Sequence, residues 1–359
     1  SDGKDQFSGH LSTQGLFDID SAGFLVEADA NATVEIDVAE GIFADAQDLS
    51  GNARLELAPG SLRELTINFS KLGEAFGRVA ASGARDVPGG DWTLDCNIFD
   101  VDRRVLNLVG AGRDLDFRGT VLSSTNRIRF TPGGGKFGIT GRTMADQFSL
   151  AREGMTTPVV EVTADYSLSL DWPTQRIEIA KLELTGVQND QPMLTGRLLQ
   201  PMQLDWGGGP VYEGESKLEF KLKSVDVARW RPFFGGYAES GKVDAALILI
   251  ARQAGRDLEY RWQSSAEGIT ASSFKELEGS LESSGRLTDF SRLTLKEFAA
   301  QWRVPGESGH SLGGSGTVEF SGAGEVVRAT AGGWIKTKGQ EVASEYAGTF
   351  IRDTLPSTR

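Results

Sequence analysis

Cysteine and histidine are nearly missing from this chain of 359 residues, which has one Cys and two His. Cys96 therefore has no partner for an internal disulfide, and one thiol with the distant His10 and His310 is no zinc-type ligand set. Cys96 lies in the alternating run Trp92-Thr93-Leu94-Asp95-Cys96-Asn97-Ile98 with no basic or helix-terminal neighbour to activate it. It reads as a small core residue. Basic charge is also scarce: 37 Lys and Arg against 50 Asp and Glu leave a net charge of −13. No basic stripe is present to neutralise phosphates, so a nucleic-acid partner is not expected. Long apolar runs are lacking too. The longest, Val243 to Ala251, contains Asp244 and is too short to span a bilayer. No signal peptide is recognisable and the first residue is Ser1. The expectation is a mature or excised segment, with any membrane anchor outside it.

What the chain has is glycine, at 45 positions, and apolar residues at 39% of positions, too many for a disordered chain. Its main pattern is period-two alternation, the mark of strands with one buried face. Val34/Ile36/Val38, Leu55/Leu57, Leu65/Ile67/Phe69, Leu168/Leu170/Trp172, Ile177/Ile179, Leu182/Leu184, Leu218/Phe220/Leu222 and Val318/Phe320 alternate with polar and charged residues. Turn signals such as Pro59-Gly60, Pro88-Gly89-Gly90, Pro132-Gly133-Gly134-Gly135 and Gly207-Gly208-Gly209-Pro210 separate the runs. The segment Trp172 to Ile177 reads as a hairpin connection. The pattern predicts an all-β chain of about twenty strands of ordinary length, arranged as an elongated, curved antiparallel sheet with a few short helices. Two segments have helical spacing, Lys71 to Val79 and Val225 to Phe234. Each follows an alternating strand and precedes Ser-Gly (Ser82-Gly83, Ser240-Gly241) and a new strand, which suggests internal repetition. The expected division is 1–155 and 156–359, or one continuous domain.

The segment Asp226-Val227-Ala228-Arg229-Trp230-Arg231-Pro232-Phe233-Phe234, followed by Ser240-Gly241-Lys242-Val243-Asp244-Ala245-Ala246-Leu247-Ile248-Leu249, resembles a recurring pattern of AsmA-like and TamB-like proteins. The units Leu182-Glu183-Leu184-Thr185-Gly186 and Pro192-Met193-Leu194-Thr195-Gly196 are similar to their strand–turn units. The resemblance is strongest over residues 160–250. It implies repeated β-groove modules of the bridge-like lipid-transfer kind, located in the periplasm or envelope of a diderm bacterium. The implied partner is phospholipid or another lipid, possible further partners are envelope proteins, and no cofactor is implied. The alternating residues then expected to line a lipid groove are Leu168, Leu170, Ile177, Ile179, Leu182, Leu184, Leu218, Phe220, Leu222, Val243, Ala245, Leu247 and Leu249. Trp230, Phe233 and Phe234 either meet a membrane or partner, or cap the open end of the β-core. The same apolar faces could instead close on one another as a sandwich core.

Catalytic motifs are present only in outline, and no enzymatic activity is expected. Gly309-His310-Ser311-Leu312-Gly313 matches the nucleophile-elbow spacing, but a strand follows Ser311 rather than a helix, and no histidine follows it. Gly133-Gly134-Gly135-Lys136-Phe137-Gly138 has dinucleotide-loop spacing but also leads into a strand, and it reads as a hairpin loop. Asp18 and Asp20 suit a turn as well as a Ca²⁺ site. Besides the lipid groove, a structural or adhesive β-repeat that binds protein or glycan is compatible with the pattern. The seven tryptophans (Trp92, Trp172, Trp206, Trp230, Trp262, Trp302, Trp334) mostly lie in alternating runs and do not separate the two.

Overall fold

A computed structural model of the chain describes residues 7–22, 25–110, 115–152, 154–205, 214–230, 238–271, 274–289, 291–306, 309–320, 326–338 and 344–351. Among them the predicted strands dominate. There are twenty-two strands and one α-helix, and twenty strands belong to one antiparallel sheet that is not closed. The all-β expectation holds. The chain divides into two compact units, residues 1–173 with 181–191, and residues 174–180 with 192–359.

In the first unit the strands follow one another as a meander. β1 (Phe7–Ile19), β2 (Leu25–Ala39), β3 (Leu49–Ala58), β4 (Ser61–Lys71), β5 (Glu74–Arg85), β6 (Trp92–Asp102), β7 (Val121–Phe130) and β8 (Lys136–Phe148) each pair with the next. After a two-stranded hairpin of β9 (Ala151–Arg152) and β10 (Met155–Thr156), β8 pairs with β11 (Val160–Asp171). A 3-10 turn at Gly41–Ala46 links β2 to β3, and the helix α1 (Arg103–Gly110) links β6 to β7. Both lie at the same end of the meander. There Ile36, Ala39, Ala46 and Leu49 form a buried cluster, and Phe43, Phe76, Val105 and Leu108 pack against it. Asp102 starts α1: its Oδ1 accepts the Arg104 backbone N–H at 2.9 Å, in the manner of a cap. The Arg104 guanidinium lies 3.4 Å from the Phe76 ring centroid, so one residue ties the cap to the apolar plug.

The helix expected over Lys71 to Val79 is not formed. Lys71 pairs with Glu74, and Leu72 and Gly73 have φ of 52° and 82°. Two positive φ values in a two-residue loop are the type I′ geometry, whose twist matches that of the flanking strands. The helix-like spacing of Leu72, Ala75, Phe76 and Val79 was outweighed by this turn and by a ready partner strand.

In the second unit the first residues of β12 (Arg176–Gln188) pair with β14 (Met202–Asp205). β13 (Gln191–Gln200) pairs with β15 (Ser216–Asp226). From there β16 (Ser240–Arg252), β17 (Asp257–Ala271), β18 (Phe274–Thr288), β19 (Arg292–Arg303), β20 (His310–Phe320), β21 (Val326–Thr337) and β22 (Ser344–Ile351) form a second meander. Entry into β16 depends on Gly241. It has φ of 122°, and a Cβ there would stand 2.7 Å from the Ile269 Cα, so only glycine fits.

The residues over Val225 to Phe234 that are described do not form the expected helix either. Val225 and Asp226 end β15, and residues 227–230 are turn. Asp226 Oδ1 accepts the backbone N–H of Ala228 at 3.1 Å and of Arg229 at 3.4 Å. Asp226 thus caps a single turn, closed by the Trp230 N–H on Asp226 O at 3.1 Å, and residues 231–234 lie outside the described residues.

The buried cluster at the end of the first unit should dominate local stability. Leu49→Ala, at a residue 4% exposed, is expected to cost about 2–5 kcal/mol in urea unfolding. Leu72→Ala, at a residue 81% exposed, should stay within about 0.5 kcal/mol.

Candidate functional site

Strand register collects the alternating apolar residues of the second unit onto one face. Across β15 and β16, Leu218 lies opposite Leu249, Phe220 opposite Leu247, Leu222 opposite Ala245, and Val225 opposite Val243. On the β13 side Leu198, Gly196 and Leu194 continue these rows. On the other side Leu249 faces Tyr260, Leu247 faces Trp262, and Ala245 faces Ser264. The Trp262 row runs on through Ser283, Phe298, Gly314 and Gly333 to Tyr346. Neighbouring positions on the opposite face carry Glu219, Lys221, Arg261, Gln263, Glu282 and Arg286, interrupted by Ile248 and Ile250. That segregation follows from the two-residue period of a strand in fixed register.

Among the described residues the apolar face is not sealed. Leu218 and Ala245 are each 8% exposed, but Phe220, Leu222, Val243, Leu247, Leu249, Tyr260, Trp262, Phe298 and Trp302 are only half-buried. Among the described residues of the chain, no Phe, Tyr or Trp is buried, and the largest fully buried side chain is Val160. A sandwich core would bury its large aromatics, the residues with most to gain from leaving water. At the edge, Tyr346 and Ile335 are 39% and 46% exposed.

The other predicted groove residues are also half-buried. Ile177 and Ile179 lie opposite Leu204 and Met202. Leu182 and Leu184 alternate with exposed Lys181, Glu183 and Thr185 in β12. Leu168 and Leu170 belong to the first unit, opposite Ile139 and Phe137. They continue an apolar face with Ile128, Leu94 and Gly83 in one row and Phe130 and Trp92 in the next, residues that alternate in the sequence but were not among the expected groove lining. The Trp92 and Phe130 rings stack with centroids 6.1 Å apart. Cys96 lies on this face between Ala81 and Asn126. It is half-buried, and burial pushes its thiol pKa up, away from reactivity. Trp230 is half-buried in the turn after β15, its backbone N–H bonded to Asp226 O at 3.1 Å, while Phe233 and Phe234 lie outside the described residues.

A polar island interrupts the apolar face of the first unit. Asn126 Nδ2 donates to Ser124 Oγ at 2.8 Å, Ser124 Oγ and Thr143 Oγ1 are 2.8 Å apart, Thr143 Oγ1 and Tyr166 OH are 2.9 Å apart, and Tyr166 OH donates to Asn126 Oδ1 at 2.6 Å. The four groups close a ring across β7, β8 and β11, so their polar atoms satisfy one another away from bulk water. On the opposite face ion pairs span strands, as from Arg127 to Asp95 at 3.0 Å and from Arg129 to Asp86 at 2.8 Å.

The catalytic outlines are built as strands and turns. Ser311 is the second residue of β20, on the face opposite His310, with its Oγ 3.5 Å from Lys336 O. Gly133 and Gly134 sit in a turn that leads into β8. Asp20 Oδ1 accepts the Ala22 backbone N–H at 2.9 Å, the ordinary work of a turn aspartate. Among the described residues no three His, Cys, Asp or Glu groups gather as a metal site.

Two measurements follow from these polar groups. Tyr166→Phe leaves Asn126 Oδ1 without its donor and should cost roughly 1–3 kcal/mol in urea unfolding. On the polar face, the Arg261 hydrogen bond, helped by Arg252, holds the Glu259 carboxyl below its usual pKa against the opposing effect of burial. A depressed folded pKa contributes stability above the unfolded pKa and loses it as pH falls through the folded value. Glu259→Gln should therefore lower stability at pH 7, by no more than about 1 kcal/mol for so exposed a network, and the gap should close below a pH of roughly 4. Comparison of the chain with protein-family models, with curated proteins and with solved structures finds no match in any of the three.

Proposed function

We propose that this chain is a non-enzymatic β-groove protein of the bacterial envelope, one that holds or conducts lipid acyl chains along its apolar sheet faces. The observation that carries this reading is the half-buried apolar face of the second unit. It continues in register across nine strands, β13 and β15 to β22, and leaves its aromatic side chains partly open. At roughly 4.8 Å per strand such a row is about 38 Å long, which suits an extended apolar chain better than a compact small molecule. Each methylene removed from water contributes about 0.8 kcal/mol, so acyl chains can be retained without a specific pocket. A chain that leaves a bilayer for this face exchanges one hydrocarbon environment for another, and low specificity then favours movement.

The sequence resemblance to AsmA-like and TamB-like proteins supports the same reading and gives it the periplasm as location and phospholipid as cargo. A structural or adhesive β-repeat is favoured by one observation of its own. β1 pairs only with β2 among the described residues and exposes Leu11, Phe17 and Ile19 at 69%, 58% and 59%, an edge open to strand addition.

Organic extraction and mass analysis of the purified chain test the lipid reading, with Leu247→Asp as the variant. The wild-type chain should carry phospholipid, and the variant should lose at least about tenfold of it while keeping a cooperative melt. If the face is instead sealed core, the buried charge should cost more than about 4 kcal/mol and abolish folding, and a lipid-free wild type would leave the adhesive reading.

A further inference from the structure

β1 is a long edge strand with little of the usual protection. It has 13 residues, none of them Lys, Arg or Pro, and among the described residues it pairs on one side only, with β2. Lysine, proline and short length are the means by which sheet edges avoid pairing with another chain. Register shifts fall at Ser8/Gly9 and Asp18/Ile19, and between them the strand is regular. From Gly9 to Asp18 it therefore offers an unbroken series of backbone N–H and C=O groups to an added strand. Leu11, Thr13, Gly15 and Phe17 lie opposite Val34, Ala32, Ala30 and Ala28, and through these they join Gly51, Ala53, Leu55 and Leu57. They are the margin of the apolar face of the first unit, and Leu11, Phe17 and Val34 are exposed there. His10, Ser12, Gln14, Leu16 and Asp18 alternate with them on the reverse face.

We propose that β1 pairs antiparallel with β1 of a second copy of this chain, about a two-fold axis at Gln14. An axis normal to the sheet sets residues of the same face opposite one another. The register centred on Gln14 places Leu11 opposite Phe17 of the second copy, Thr13 opposite Gly15, Ser12 opposite Leu16, and His10 opposite Asp18. The exposed Leu11 and Phe17 thus cover each other twice, once on each side of the axis. His10 is the only residue of β1 able to carry positive charge, and Asp18 is its only carboxylate. Within one copy Asp18 faces Glu27, a like-charge contact that the histidine of the second copy relieves. His10 Nδ1 is already paired with Asp37, which leaves Nε2 for that aspartate. A register centred on Thr13 sets Leu11 opposite Gly15 and His10 opposite Leu16, and one centred on Gly15 runs past the irregularity at Asp18/Ile19. The self-complementary register selects a second copy as the occupant of this edge. The apolar face of one first unit then runs on into that of the other. The dimer does not depend on the lipid reading.

Sedimentation equilibrium of the full chain tests this, with Gln14→Lys as the variant. Gln14 is exposed, and a lysine there meets its own copy across the axis as a like charge. The wild-type chain should be a dimer at micromolar concentration. Gln14→Lys should raise the dissociation constant at least about fivefold and keep the far-ultraviolet circular dichroism of the folded chain. Disulfide capture reads the register. Mild oxidation should link Gln14→Cys into a covalent dimer but leave Ser12→Cys unlinked, because its own copy then lies about 14 Å away along the strand. Cys96 is common to both variants and serves as the internal control. A monomeric wild type overturns the proposal, and β1 amides that still resist hydrogen exchange in that monomer would show that another segment or partner covers the edge. A dimer that Gln14→Lys leaves intact, or that links as readily through Ser12→Cys as through Gln14→Cys, overturns the strand pairing.

Discussion

Everything in this chain depends on register. Antiparallel hydrogen bonds lock each strand against its neighbour, and because side chains alternate, one locked strand fixes which face its apolar residues join. Leu218, Leu249 and Tyr260 become one row only because three successive strands keep the same phase. A slip of one residue in β15 would bring Glu219 and Lys221 onto the apolar face. The hydrophobic term that stabilises the sheet thus also defines its continuous apolar surface.

The polar groups on the apolar side fit this logic. The ring of Ser124, Asn126, Thr143 and Tyr166 ties β7, β8 and β11 together through side-chain hydrogen bonds that any slip would break. The buried cluster beneath α1 does a different job. It closes one end of the first unit with apolar contacts, while the rest of that face keeps its half-buried character. The apolar cluster lies at that end, and most large side chains on the remainder of the face are only partly covered.

The all-β architecture was legible because runs such as Lys217 to Lys223 alternate without a fault. The apolar face of the second unit was legible for the same reason: Leu218, Phe220, Leu222, Val243, Ala245, Leu247 and Leu249 fall together. In the first unit the alternation at Leu55/Leu57 and Leu65/Ile67/Phe69 was legible, but of its apolar face only Leu168 and Leu170 were expected to line a groove. Its rows contain Ala30, Ala53, Ala81, Gly83 and Gly141 together with the polar ring, so the sequence shows little hydrophobic contrast there. Helix α1 escaped because its eight residues offer only Val105 and Leu108 to the cluster, and Val109 is 80% exposed. Whether an alternating face is covered depends on a second layer, and local periodicity holds no information about that.

The central claim is that the face carrying Trp262 meets lipid and its reverse does not. A photoreactive amino acid at position 262 or 263, irradiated in cells before purification, reads this directly, because the two side chains are adjacent in sequence and point to opposite faces. The account predicts phospholipid adducts by mass analysis at 262 and none at 263. Adducts at neither position, or equally at both, would contradict it.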